Sequence, residues 1–210
     1  MRDILIIGAG LAGSSLAAVL ARQGWDVLLV ERDRFPRHKV CGEFLSPDVQ
    51  RSLQSFGLYD DVAALGPAPV QQARIVSQWG RSVEIGLPGS AWGLSRYALD
   101  QTLATAAERR GAELWLGATV RAYEETSHGY VVHVREGEKT NAVQTRALVA
   151  ACGRHSQAAL PPKTRTRARR RQFVGVKCHY AAVEMPPQVE LFLLPGGYGG
   201  INPIEQGRVN

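Results

Sequence analysis

The chain switches between two hydrophobic periods, and the switches predict its elements. Residues 4–7, Ile-Leu-Ile-Ile, are a short unbroken apolar run of the kind found in strands buried on both faces. Residues 12–22 carry Leu16, Val19 and Leu20 at i, i+3, i+4 spacing, which predicts a helix with that face inward and Gly24 as its stop. Residues 25–30 return to a strand pattern that ends at Glu31. Ser46-Pro47-Asp48 combines a cap, a first-position proline and a first-turn acid, so a helix starts there and runs to about residue 56, before Gly57. Residues 73–78 and 82–87 predict a hairpin around Trp79-Gly80-Arg81. A helix over 97–110 sets Leu99, Leu103, Ala106 and Ala107 on one face, with Gly111 after it. Strands follow at 113–116, 120–124, 130–135 and 141–145, then a buried apolar run over 146–151. Residues 173–182 and 189–194 also read as strands, before a glycine-rich tail, and no internal repeat is present.

This order predicts an α/β fold. A nucleotide-binding domain over 1–70 and 95–160 is interrupted by pieces of a second, sheet-based domain at 71–94 and 172–210, with 161–171 as a basic linker. The β-rich pattern stops at Asn210 without a closing helix, as expected of the N-terminal portion of something longer.

The first thirty residues admit two readings. A signal peptide needs a basic start, an apolar centre and a small-residue cleavage site. Here Asp3 weakens the start, and Gly8, Gly10 and Gly13 interrupt a centre too short for the ~20 apolar residues of a membrane span. The nucleotide-binding reading gives each glycine a task. Gly8 turns the chain tightly out of its strand, Gly10 lets backbone approach a pyrophosphate, and Gly13 lets the helix pack against the strand. The helix start offers N–H groups and a positive dipole end to a phosphate. Glu31, about 20 residues on, is placed to accept hydrogen bonds from a ribose diol, and its charge disfavours a 2′-phosphate.

Composition changes this picture little. The net charge is +6, and Lys163, Arg165, Arg167, Arg169, Arg170 and Arg171 account for all of it. The protein is therefore near neutral with one basic strip. No aromatic residue is interleaved for base stacking, so nucleic acid is not expected as a partner and a solvated loop is favoured. Peripheral membrane contact stays open; an integral segment is not expected. Three cysteines, Cys41, Cys152 and Cys178, form no metal-like pair and suit a reducing, cytoplasmic setting.

Several separated motifs carry a family resemblance: GAGLAG with Glu31, FPRHKVCGEFLSP at 35–47, LSRYALDQTL at 94–103 and ALVAACGRHS at 147–156. Together they resemble FAD-dependent oxidoreductases of the geranylgeranyl reductase and aromatic-hydroxylase (FAD-binding monooxygenase-like) superfamily. The resemblance implies a Rossmann-like, three-layer FAD-binding domain with an antiparallel sheet domain for the substrate. It places Gly8, Gly10, Leu11, Ala12 and Gly13 along the FAD pyrophosphate, and Glu31 with Arg32 near the adenosine ribose. It brings Cys41 and Gly42 to the flavin or its ribityl chain, Arg96 to the phosphates or ribityl, and the Val120 backbone to the adenine. Cys152 departs from the family, which has Asp there, and the family's Gly-Asp-Ala segment is absent.

Single residues keep two readings each. Cys41 is either redox-active or a small group packing at the flavin. Arg96 contacts cofactor or pairs with Asp100 one turn on. His38 and His155 are proton carriers or surface groups, and Tyr198 lines a substrate cavity or a plain turn. The expected function is an FAD-dependent oxidoreductase, with NAD(P)H as a transient donor, reducing a C=C bond or hydroxylating a hydrophobic or aromatic small molecule. Two alternatives stand beside it: a non-catalytic fragment with a Rossmann-type fold, and an NAD-only dehydrogenase. No catalytic residue is assigned and no metal is expected.

Overall fold

β1 (Arg2–Ile7) takes the centre of a six-stranded sheet, flanked in parallel by β2 (Val27–Glu31) and β9 (Lys139–Ala150). A computed structural model describes residues 1–153 and 173–210 of the chain. The basic strip 163–171, the linker 161–171 and His155 lie outside the described residues. β6 (Glu113–Leu116) extends the sheet beyond β2, while β8 (Gly129–Glu136) and β7 (Ala118–Thr126) extend it beyond β9, in the order β6-β2-β1-β9-β8-β7.

β9 unites what the residue pattern splits into 141–145 and 146–151. No glycine or proline interrupts 139–150, so one strand serves two neighbours. Its first half pairs antiparallel with β8 and its second half parallel with β1. Thr145 is the pivot: it is buried and stands opposite both Tyr130 and Arg2. The β7–β8 hairpin then closes over one face of the parallel strands. Leu5, Leu28 and Val30 pack there with Ala118, Val120, Val132 and Val134.

Strand alternation turns Ile6 and Leu29 to the opposite face, the one left for α1 (Leu11–Arg22). The buried side of α1 is Gly13, Ser14, Ala17, Ala18 and Ala21, whereas the expected Leu16, Val19 and Leu20 are only half-buried. Close approach explains the difference. A methyl group on Gly13 would run into the Gly8 carbonyl, so only small side chains fit beneath this helix.

Asp3 ties the entrance of this sheet. Its carboxylate accepts the Asp26 N–H at 3.1 Å and the Arg146 guanidinium at 3.1 Å. The backbone donor first, and Arg146 second, hold its carboxyl below the ordinary value. A lowered folded value adds stability above the unfolded carboxylate range of about 3.9, and that stability is lost as pH falls through the folded value. Asp3→Asn is therefore expected to flatten the acid limb of the stability profile. Superimposable acid limbs would show that the two contacts contribute nothing.

The chain divides into two compact units, 1–37 with 100–174 and 38–99 with 175–210. Residues 38–70 and 95–99 fall in the second unit, whereas the residue pattern groups them with the first. Strand pairing is the reason. β3 (Phe44–Leu45) pairs with β5 (Ser82–Gly93), and Pro47, which opens α2 (Pro47–Phe56), packs at Gly89 of β5. Gly57 ends α2 with φ 66°, and α3 (Tyr59–Ala63) follows.

The second sheet runs β11-β10-β4-β5-β3, with β4 (Ala68–Val76), β10 (Gln188–Leu194) and β11 (Gly197–Ile201). Its register separates two faces. Ala73, Ile75, Val83, Ile85, Val189, Leu191, Leu193 and Tyr198 share one, and Gln72, Arg74, Val76, Glu84, Gln188, Glu190, Phe192, Leu194 and Ile201 the other. On the first face Val83, Ile85, Leu193 and Tyr198 are exposed.

Residues 173–182 do not form the expected strand. Among them only Tyr180 pairs, in an isolated bridge with Val209. Lys177 and His179 point inward because a buried acid holds them, not because an apolar face needs covering. Among the described residues, no helix is long and apolar enough to cross a membrane.

Candidate cofactor and active site

The glycine loop is a cradle cleared of side chains. Gly8 leaves β1 at φ +100°, and a Cβ there would stand 2.8 Å from the Ala151 carbonyl oxygen. Gly10 caps α1 without any side-chain hydrogen bond, and the first turn holds no acid. The amide end of α1 therefore stays uncompensated, with Leu11 half-buried and Ala12 exposed beside it. β1 has its sequence neighbour β2 on one side and the late strand β9 on the other. This reversal opens a crevice at the strands' carboxyl ends, where α/β sheets bind ligands. Cys152 lies next to Gly8 at that end, where the resemblance has an Asp.

Glu31 ends β2 and is 5% exposed. One carboxylate oxygen accepts the Ala9 N–H at 2.9 Å and the other the Asp33 N–H at 3.0 Å. The Arg37 guanidinium lies 3.5 Å from Glu31, 3.3 Å from Asp33 and 3.4 Å from the buried Asp100. These contacts orient the acid without using all its lone pairs. Bare loop, open helix end and oriented carboxylate together fit an adenine dinucleotide. Arg32 is exposed and faces Asp33 at 3.7 Å. The Val120 side chain is in the core with Leu5, Leu28 and Val30.

In the second unit, the motif at 35–47 supplies a buried acid, Glu43, beside Cys41. Glu43 sits at φ 55° with its side chain fully buried. Its carboxylate accepts from Lys177 Nζ, from the Arg96 N–H at 2.7 Å and contacts His179 Nε2 at 2.6 Å. Its carbonyl accepts the Leu94 N–H at 3.0 Å. Cys41 and Gly42 flank it, and Asn210 Nδ2 donates to both of their carbonyls, at 3.3 and 3.0 Å.

The Ser95-Arg96 pair opens α4 (Arg96–Arg109) between two buried acids. Ser95 Oγ accepts the Ala98 N–H at 3.2 Å and donates to Glu205 at 2.6 Å, while the Ser95 N–H donates to Glu205 at 2.8 Å. Arg208 neutralises Glu205 at 2.6 Å. Negative charge at a helix amino end complements its dipole, so this motif is first a helix start. The Arg96 side chain is buried beside it.

A cleft of about 520 Å³ opens in this unit, lined by His38, Lys39, Val40, Lys177, Cys178, His179 and Arg208. The His38 ring lies 5.2 Å from that of His179 and 4.8 Å from Tyr97. Tyr198 stands apart from this lining, 75% exposed on the apolar sheet face. No cluster of three metal-ligating side chains occurs among the described residues. Glu43, His179 and Glu205 escape sequence reasoning. The one local hint is an acid set in the apolar and cationic run Lys39-Val40-Cys41-Gly42-Glu43-Phe44.

The family described as FAD binding domain matches residues 1–194. The chain belongs to that family. Its cofactor is FAD, so NAD as sole cofactor drops out as an alternative, and the family's enzymes are FAD-dependent oxidoreductases. A curated menaquinone reductase of Mycobacterium tuberculosis is 32% identical over 99% of this chain and 53% of its own length. Digeranylgeranylglycerophospholipid reductase 2 of Methanopyrus kandleri is 31% identical over the same shares, 99% and 53%. The chain thus spans about half the length of the curated relatives it matches. Among solved structures, a flavoprotein/dehydrogenase from Cytophaga hutchinsonii superposes with a TM-score of 0.78 at 24% identity, over 99% of this chain and 54% of that one. That likeness supports the Rossmann-like α/β fold with its second sheet.

Proposed function

We propose that the protein binds FAD through the glycine loop and Glu31 and that the enzyme reduces a C=C bond of a hydrophobic small molecule. The observation that carries the binding assignment is Glu31, buried and oriented one strand away from an uncapped helix start. Gly8, Gly10, Leu11, Ala12 and Gly13 would receive the pyrophosphate on backbone N–H groups. Glu31 would take the ribose hydroxyls, with Arg32 at the rim and the Val120 backbone toward the adenine. In the second unit, Cys41, Gly42 and Arg96 are assigned to flavin and ribityl contacts on the family resemblance. Bound FAD supplies the two-electron chemistry, with NAD(P)H as donor.

Two observations favour reduction of an apolar substrate over hydroxylation. Both relatives matched across the chain carry reductase names. Among the described residues, the second sheet also leaves Val83, Ile85, Leu193 and Tyr198 exposed on one face. A cytoplasmic site of action belongs to the same reading.

The test is the visible spectrum of the purified protein. Flavin absorption bands are expected to co-purify or to appear on loading with FAD. Glu31→Gln removes charge-assisted acceptance worth about 1.5–3 kcal/mol, a loss of roughly tenfold to a hundredfold in FAD affinity by titration. A folded protein that stays colourless with excess FAD would leave the alternative of a non-catalytic fragment.

A further inference from the structure

The charged residues of the second sheet stop at one line across its strands. Register sets Glu84 of β5 beside Arg74 of β4, and Arg74 beside Glu190 of β10, where guanidinium and carboxylate are 3.6 Å apart. β4 and β10 run parallel, so the turn after β4 and the turn after β10 leave the sheet at the same end. Beyond the charged line that end consists of residues 75–83 and 191–200, which hold no acid and a single cation, Arg81. We propose that this end of the sheet is a docking tip that enters the interfacial layer of a phospholipid bilayer. The proposal goes beyond the FAD and double-bond readings and depends on neither.

Three features of the second unit carry it. The first is exposure. Among the described residues, Trp79 is 79% exposed, Leu194 55% and Leu193 50%, with Val83 and Tyr198 exposed beside them. Scattered apolar side chains on a surface are ordinary, whereas a contiguous group marks an interaction site. The second is geometry. Strand alternation puts Val83, Leu193 and Tyr198 on one face and Leu194 on the other, with Trp79 in the turn past both. A protein partner lying on one face, a second copy included, leaves Leu194 or its opposite neighbours in water. A fluid layer entered end-on covers both faces and the turn.

The third is chemistry. Trp and Tyr join an apolar ring to a polar N–H or O–H, the combination that suits the boundary between acyl chains and headgroups. Arg81 complements lipid phosphates, and no acid stands at the tip to be repelled by them. The turn that carries Trp79 also satisfies its own backbone. The Ser77 N–H donates to the Arg81 carbonyl at 2.8 Å, the Gly80 N–H to the Ser77 carbonyl at 3.0 Å, and the Arg81 N–H to Ser77 Oγ at 3.2 Å. Closing these groups internally lowers the cost of taking them out of water. The strands continue two residues past the charged line in β4 and four in β10. At about 3.3 Å per residue that is roughly 7–13 Å, close to the ~5–10 Å to which interfacial elements sink.

The experiment measures co-sedimentation of the purified protein with large unilamellar vesicles of phosphatidylcholine, at about 0.5 M salt so that charge attraction elsewhere on the chain is screened. The wild type is expected to sediment with the vesicles. The double variant Trp79→Ser, Leu194→Ser is expected to lose at least about tenfold in partitioning. Its melting temperature should match the wild type, because both side chains lie in water. At low salt, vesicles containing phosphatidylglycerol should bind the wild type about fivefold better than Arg81→Gln, the contribution of one cation near an anionic surface. Trp79→Phe keeps an apolar ring and reads position. Phosphatidylcholine brominated on its acyl chains should quench the tryptophan fluorescence of the wild type but not that of Trp79→Phe, although both sediment. A wild type that stays in the supernatant overturns the proposal. So does a double variant that sediments like the wild type, or quenching that persists in Trp79→Phe, since either places the contact elsewhere on the chain. A wild-type dimer in sedimentation velocity that ignores vesicles and is lost in the double variant assigns the tip to self-association, and overturns the proposal as well. No readout here involves FAD or an alkene, so each of these failures leaves the proposed function standing.

Discussion

Glu43→Ala is expected to be the most destabilising single substitution in the second unit, lowering unfolding free energy by about 3–5 kcal/mol. The change strands Lys177, whose side chain is 7% exposed, without its counter-charge, and leaves the Arg96 N–H at the start of α4 without its acceptor. Glu43→Gly separates two parts of that cost. Glycine also lacks the carboxylate but tolerates φ 55°, where alanine does not, so it should be less damaging than alanine by about 1 kcal/mol. Urea unfolding of the wild type and both variants reads the two numbers. Equal midpoints for the two variants would show that backbone strain at this position is negligible. A wild-type midpoint for Glu43→Ala would show that Lys177 and His179 are accommodated without the acid.

Gly13→Val should abolish FAD retention. A side chain at this position meets the Gly8 carbonyl and approaches the Ala151 Cβ to 3.3 Å. Both obstacles sit on the backbone or a short side chain of the cradle, so neither can swing away. The helix must lift from the sheet, at a cost of about 1–3 kcal/mol, and its amide end moves with it. Purified Gly13→Val is expected colourless, with FAD affinity reduced at least tenfold and a lower melting temperature. Gly86→Ala is the control for bulk, because a methyl group there meets nothing within 4 Å. Its melting temperature should match the wild type. Full flavin occupancy in Gly13→Val would mean that the pyrophosphate lies elsewhere.

How far each site could be read in advance depends on the distance between its parts. The glycine loop, the α1 start and Glu31 fall within thirty-one residues, and each requirement is local: a positive φ, a missing side chain, a helix beginning, a strand end. Those demands leave marks at fixed spacing. The Glu43 cluster spans 134 positions to Lys177 and 136 to His179, and no spacing rule connects them. Ser95 and Glu205 are 110 apart, and the same holds. The Ser95-Arg96 motif was visible as a motif, yet the two acids that hold its helix start were not.

The residue pattern by itself determined the βαβ opening, the hairpins and most helix boundaries, because periodicity and turn chemistry act over a few residues. Tertiary structure decided the rest. It chose the alanine side of α1 over the leucine side, since the sheet comes too close for larger groups. It made one strand of 139–150 by giving each half a different partner, and moved 38–70 to the second unit through the β3–β5 pairing. It also turned Lys177 and His179 toward a buried carboxylate. A charge taken out of water must find its partner wherever the chain returns, and that return is set by the fold as a whole.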